Sequence, residues 1–259
     1  MMVGRLDPKG LPDGRGRTVG RSLRVASTVM GVILLSIGPT VRPSDGQVGH
    51  DPGSSPYHDI LLHPGPVFFF GHLSADRGNA AAGTSNARTF GARYEIPAGG
   101  AVQFQFTGAF LQGDRFIIDP RADSASPARR TGPYKSDLGL VEIGMQLRLT
   151  GGKTWRGFAP YAGTGLGLMF DVDSPGDTTG SGYRFGTKLT IAFAAGVRWY
   201  PARRVLINAD VRAHMWKLRY PVSFHSTLSP DGSRVIPLNE PLNDWTLHPW
   251  ISLGIGWIF

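Results

Sequence analysis

The chain has 259 residues, 27 Lys and Arg against 19 Asp and Glu, 36 Gly and no Cys. The missing Cys excludes disulfides, thiolate metal sites, iron–sulfur clusters and a cysteine nucleophile. Hydrophobic content of 41% with 18% charged residues excludes a disordered chain, and the net charge of +8 raises nucleic acid as a partner, so its location matters.

Residues 1–38 hold six basic residues (Arg5, Lys9, Arg15, Arg17, Arg21, Arg24) and two acids (Asp7, Asp13), so half of the net charge lies before residue 39. They lead into Val25–Gly38, fourteen residues without a charge, too short for a helical span of ~20 residues. A basic start, a short apolar run and small residues at Ser36 and Gly38 predict a cleaved export signal over 1–38. With that charge assigned to export, no nucleic-acid partner is expected. Residues 39–64 are rich in Pro, Gly, Ser and Asp, lack periodicity, and predict a disordered periplasmic linker.

From residue 65 onward the hydrophobic pattern has period two, the signature of strands with one apolar face. In Val205–Met215 the apolar set is Val205, Ile207, Ala209, Val211, Ala213 and Met215. Between them stand Leu206, Asn208, Asp210, Arg212 and His214. The same alternation predicts eight strands at about 66–75, 87–97, 101–116, 138–150, 157–173, 186–200, 204–220 and 248–259. Of these, 66–75 is the hardest to read, because both of its faces are aromatic. The connections at 97–100, 151–156 and 201–204 are short, and those near 76–86, 117–137, 174–185 and 221–247 are long and polar. Tight turns on one rim and large loops on the other predict an all-β, eight-stranded antiparallel up-and-down transmembrane barrel over 65–259, with both termini on the periplasmic side.

Alternation alone also fits a soluble barrel, which buries the apolar face. Three features favour the inverted arrangement. The polar face carries Arg93, Glu95, Glu142, Arg148, Arg198, Asp210, Arg212 and His214 alongside Gly144, Gly163, Gly165, Gly167 and Gly196. A water-facing surface needs no such glycines, whereas a narrow lumen must alternate small and large residues to be filled. The 201–204 turn sets a register with Gly196 opposite Asp210 and Ala194 opposite Arg212. Second, Tyr94, Phe158, Trp199 and Trp257 fall near the short-turn rim, where a membrane barrel carries an aromatic girdle. Beyond Met215 the same face turns basic at Lys217 and Arg219, which places them at the outer headgroup level. Third, the chain ends Ser252-Leu-Gly254-Ile-Gly-Trp257-Ile-Phe259.

That ending resembles the C-terminal assembly signal of bacterial outer-membrane proteins, polar–x–Gly–x–x–aromatic–x–aromatic, at Ser252, Gly254, Trp257 and Phe259. The resemblance implies transient recognition by the barrel-assembly machinery. Over 66–259 the strand pattern resembles the small outer-membrane barrels of the outer-membrane-protein-A type. It implies an outer-membrane location among lipids that include lipopolysaccharide. The expectation for this chain is a monomer with a structural or interactive role through its four outer loops. Lipid-modifying enzymes exist on such small barrels, but neither catalysis nor a cofactor is expected from the residues present. No peptidoglycan-binding segment follows the last strand, so a cell-wall tether is not expected. Eight strands leave a lumen just wide enough for side chains to fill, so a general pore is not expected.

Other chemistry is thinly represented. Ser223-Phe-His225 invites a lipid-modifying hydrolase but lies in a loop, in the reverse of the deacylase order. His50, His58 and His63 lie in the linker without the regular structure a metal shell needs. Asp171, Asp173 and Asp177 read as a solvated acidic loop before a calcium site. GTGLG at 163–167 lies inside a strand with no helix after it, so it is not a phosphate loop. A conduit for a small hydrophobic ligand stays open if the glycines of 157–173 leave a gap.

Overall fold

The computed structural model describes residues 55–60, 63–202 and 204–258. The predicted export segment, most of the linker with His50, and the terminal Phe259 lie outside the described residues. The strands are β1 (Tyr57–Asp59), β2 (Gly65–Leu73), β3 (Ala87–Gly99), β4 (Val102–Ile118), β5 (Arg130–Arg148), β6 (Lys153–Trp155), β7 (Phe158–Asp173), β8 (Lys188–Ala202), β9 (Val205–Arg219) and β10 (Asn243–Trp257). Eight of them form the barrel, in the order β2, β3, β4, β5, β7, β8, β9, β10. The last pairs back to β2 over Val67↔Gly256 to Leu73↔Trp250. Every pairing is antiparallel. Closure leaves no free edge on the wall.

The alternation in sequence becomes an inside-out protein. Outward side chains of the middle band are apolar and exposed, with Phe70 at 66%, Ile143 at 60% and Ile251 at 62%. Charged residues at the alternate positions are buried inside. The register read from the short turn after Ala202 holds: Gly196 pairs with Asp210 and Ala194 with Arg212. Gly196 is required there, since a Cβ would stand 2.6 Å from the Tyr161 hydroxyl and 2.7 Å from the Ala209 carbonyl. The β3–β4 turn uses Gly99 and Gly100 at φ of +104° and +54°, a region that side chains disfavour.

Six strands match the predicted spans within a few residues, and two run further outward. Strand β5 begins at Arg130 rather than near 138, and β10 at Asn243 rather than near 248. Above the apolar belt both faces of a strand meet water or loops, so the pairing continues where the alternation stops. The expected linker also contains structure. Tyr57–Asp59 pairs with Lys153–Trp155 in the β5–β7 connection, because the edge of β6 offers backbone groups that β1 can satisfy. The glycines of β7 leave no gap: a Cβ at Gly165 would lie 2.6 Å from the Glu142 carboxyl carbon, and one at Gly163 2.9 Å from Gln146 Cγ. Long inward side chains of β5 occupy that space.

Candidate functional site

The inward face of β9 samples the lumen from bottom to top: Leu206, Asn208, Asp210, Arg212, His214, Trp216 and Leu218, all buried. It meets an apolar floor, a charged middle, a histidine–tryptophan layer and an apolar top. The floor is Val67, Leu206 and Ile258 with Tyr200. A cavity of about 20 Å³ lies there against Glu95 and Gln103, room for roughly one water.

The charged middle has two centres. Around Glu95, Arg198 Nη2 approaches the carboxylate at 2.7 Å, and Gln103 Nε2 donates to it at 2.9 Å. Arg198 also donates to Gln103 Oε1 at 2.6 Å and to Gln146, and its guanidinium lies 4.6 Å from the Tyr161 ring centre. Around Asp210, Arg93 Nη1 lies at 3.0 Å and Arg212 Nε at 3.3 Å, the Tyr161 hydroxyl donates at 3.0 Å, and Ser252 donates to the second oxygen. Arg212 reaches on to Glu142 at 2.6 Å and to Gln105 at 3.1 Å, and Gln146 donates to Gln105 at 2.6 Å. Gln105 and Gln146 therefore join the two centres. Arg148 stands apart at the short-turn end, donating to the Gly100 carbonyl at 2.7 Å. His214 Nδ1 stands 3.8 Å from Glu142, beyond hydrogen-bond reach. Seven strands of the wall, all but β2, contribute side chains to the two centres, so the network ties together residues far apart in sequence.

Above it lies a ring layer. His248 stacks on Trp216 at 3.4 Å and 7°, and His214 lies 5.0 Å from Trp250. The Asp76 N–H donates to His248 Nδ1 at 3.2 Å. His248 Nε2 must therefore carry its hydrogen, toward Thr246 Oγ1 at 2.7 Å.

The top is an apolar plug. Inward Leu73, Leu111, Leu138, Leu140, Met169 and Leu218 meet loop residues Ala80, Ala82, Tyr183, Phe185, Phe224 and Ile236. Tyr183 stacks near Tyr220 and Phe224, each at 6.2 Å, and Phe185 meets Trp216 edge-on at 6.3 Å. The long loops were expected to be polar and outward, yet their isolated aromatic residues turn into the barrel. Those residues were a legible sign, since a large apolar side chain in a polar loop seeks burial.

Polar groups then lock the loops to each other. Arg129 Nη1 donates to Ser229 Oγ at 2.8 Å, Ser124 Oγ to Asp231 at 2.7 Å, Arg115 to the Pro175 carbonyl at 2.7 Å, and Ser223 to the Ser181 carbonyl. Ser223 and His225 sit in a single helical turn, α1 (Ser223–Ser226), which inserts Phe224 into the plug. Asp177 is a loop staple. Burial raises its carboxyl, but hydrogen bonds from the Gly182 N–H and from both the hydroxyl and N–H of Thr179 override this and bring it down to about 2. Bonds from Ser233 and Ser124 hold the exposed Asp231 below the ordinary carboxylate range.

At the short-turn rim, Tyr94, Phe158, Trp199 and Trp257 point outward and are exposed, with Phe158 and Trp199 stacked at 6.1 Å. On β10, Ser252 and Gly254 face the lumen and Trp257 the exterior.

Comparison with solved structures finds similar barrels. The N-terminal β-barrel domain of Pseudomonas aeruginosa OprF is 12% identical, covering 76% of this chain and 98% of that one, with a TM-score of 0.40. Neisserial surface protein A is 14% identical over 76% and 97%, at 0.39. Ail, the attachment invasion locus protein of Yersinia pestis, is 14% identical over 76% and 100%, at 0.33. No protein-family profile and no curated protein matches the chain. The strand pairing itself establishes the fold as a closed, eight-stranded up-and-down barrel.

Proposed function

We propose that this protein is an integral, monomeric barrel of a bacterial outer membrane, closed to solutes, which presents its interlocked loops as an interaction surface. The observation that carries this reading is the inversion of polarity: apolar residues exposed around the middle band, and buried charge within it. Removing charge from the exterior and placing it inside costs a water-soluble protein twice, and suits a wall bathed in hydrocarbon. Val205–Met215 has eleven residues, the ~9–11 that a tilted strand needs to cross. The layered filling of the lumen supports closure, and Tyr183, Phe185 and Phe224 occupy the outer half that a hydrophobic conduit would need. Export of the chain with cleavage of 1–38, and recognition of Ser252, Gly254, Trp257 and Phe259 by assembly machinery, belong to the same proposal.

The protein is read as non-enzymatic, because the Ser223 hydroxyl is engaged by the Ser181 carbonyl and α1 serves to anchor the plug. Expression of the full chain in a Gram-negative host tests the proposal. The expected product sediments with the outer membrane, shifts mobility on heating, and gives no unit conductance in planar bilayers. A soluble periplasmic product refutes the membrane reading, steady channel events refute closure, and a lipid A profile altered by the chain but not by S223A/H225A restores an enzyme. Deleting Phe259 is expected to lower the yield of assembled barrel.

A further inference from the structure

Outward positions just above the apolar belt differ in charge around the barrel. On β9 the apolar face ends at Lys217 and Arg219, which pair across to Trp245 and Asn243 of β10. Beyond the closing seam, His72 of β2 pairs with Arg88 of β3, and Arg88 with Gln112 of β4. Arg219, Trp245, Asn243, His72 and Arg88 are exposed, and Lys217 is partly so. The carboxylates of these four strands lie on the inward set. Glu95 and Asp210 belong to the lumen network, and Asp244 accepts from the Asn79 N–H at 3.1 Å. Among the described residues, Arg88, Lys217 and Arg219 enter no salt bridge.

The opposite wall is built differently. Lys135 is held by Asp137 at 2.8 Å and Asp173 at 3.4 Å, and it pairs across to the exposed Asp114. The outer rim is therefore cationic over β9, β10, β2 and β3, and acid-rich over β4, β5 and β7.

We propose that the cationic arc binds the phosphate groups of a phosphate-bearing lipid of the outer leaflet. This rests on the outer-membrane reading above. Lys217 and Arg219 lie two residues apart on one face, roughly 7 Å along the strand, a spacing that lets one phosphate meet both. Arginine offers a planar fork to phosphate oxygens, and lysine a compact charge. Trp245 beside them is a ring with an apolar body and a polar N–H, suited to the boundary between headgroup and chain. Below lie the exposed Leu189, Phe193 and Ile251, an apolar surface for acyl chains. A free anion would gain only the charges, whereas a lipid gains both, and the acid-rich wall repels the same headgroup.

Native mass spectrometry of the full-chain protein in neutral detergent tests this, with bisphosphorylated lipid A and its dephosphorylated form offered in equal amounts. Wild type is expected to retain the phosphorylated form about tenfold better at low salt, a preference that shrinks as salt rises. The R88Q/K217Q/R219Q variant is expected to bring the ratio near unity, and K135Q to leave it unchanged. Equal retention of both lipids by wild type, or an unchanged ratio in the triple variant, overturns the proposal. Displacement by millimolar inorganic phosphate also overturns it, in favour of a free-anion site. Heat-modifiable mobility reports folding. If the triple variant misfolds, K217Q and R219Q decide, each expected to lose about threefold. Failure of the underlying membrane reading shows separately, as a chain that stays soluble without detergent.

Discussion

The two halves of the lumen have the same wall and the same inward parity, yet they are held by opposite means. In the lower half Asp210, Arg212, Glu142 and Arg93 join strands through charge. In the upper half Leu111, Leu138 and Trp216 are covered by Tyr183, Phe185 and Phe224 from loops. The lower half has no access to loop segments, so the strands must fill it themselves with long side chains set against glycines. The upper half can borrow bulk from outside the wall. Charge therefore serves the part that must form together with the barrel, and apolar packing serves the part that can close afterwards.

Asp210→Ala should produce the largest effect. Arg93 and Ser252 would lose their acceptor, and Arg212 and Tyr161 one of theirs, keeping Glu142 and Asn208 respectively. Removing one member of a buried charge cluster costs about 3–5 kcal/mol, chiefly by stranding its partners. The loss should appear in the global transition, read by denaturant unfolding of the folded barrel in micelles. A change confined to the loops would show that the network is not what joins the strands. Phe224→Ala should come second, at about 3 kcal/mol for a buried aromatic cut to a methyl. Its loss should be local, because 220–242 lies outside the barrel strands and the wall's pairing ends at Arg219. Limited proteolysis is expected to cut near residue 224 in the variant while the global transition hardly moves. Equal shifts in both measurements would erase the distinction between the halves.

That distinction was only half legible in the sequence. The lower half could be read because an apolar outer face opposes a polar inner one, so parity alone separates Asp210 from Val211 and puts Gly196 beside Asp210. In the upper half both faces are apolar. Phe70 and Leu73 differ in exposure from 66% to 0% but not in type, which is why the first barrel strand was the hardest to read. The residues that complete the plug lie in loops, where no periodicity exists to place them. The outer ends of β5 and β10 were missed for the related reason that strand pairing there has no lipid on either side. The cross-links inside the network, such as Arg198 to Glu95 over a separation of 103 residues, depend on closure and side-chain reach that strand patterns do not encode.

The smallest effect belongs to the loop staple at Asp177. Its carboxyl is brought down to about 2 by the Gly182 and Thr179 donors, against burial that pushes it up. A depressed folded-state value means the bond stabilises the loop above the ordinary carboxylate range. That contribution is lost as pH falls from near 4 through about 2. The side chain is exposed, so water screens the interaction and leaves roughly 1 kcal/mol or less. The amide resonances of Gly182 and Thr179 should titrate together with a midpoint near 2, and Asp177→Asn should abolish both movements. A midpoint in the ordinary carboxylate range would mean that the staple is open in solution. The plug residues Tyr183 and Phe185, which follow directly in the chain, should hold their positions across the same titration, because apolar burial does not depend on that proton. If their ring resonances shift in step with the Gly182 amide, the outer half relies on charge as the inner half does, and the contrast between them is one of degree.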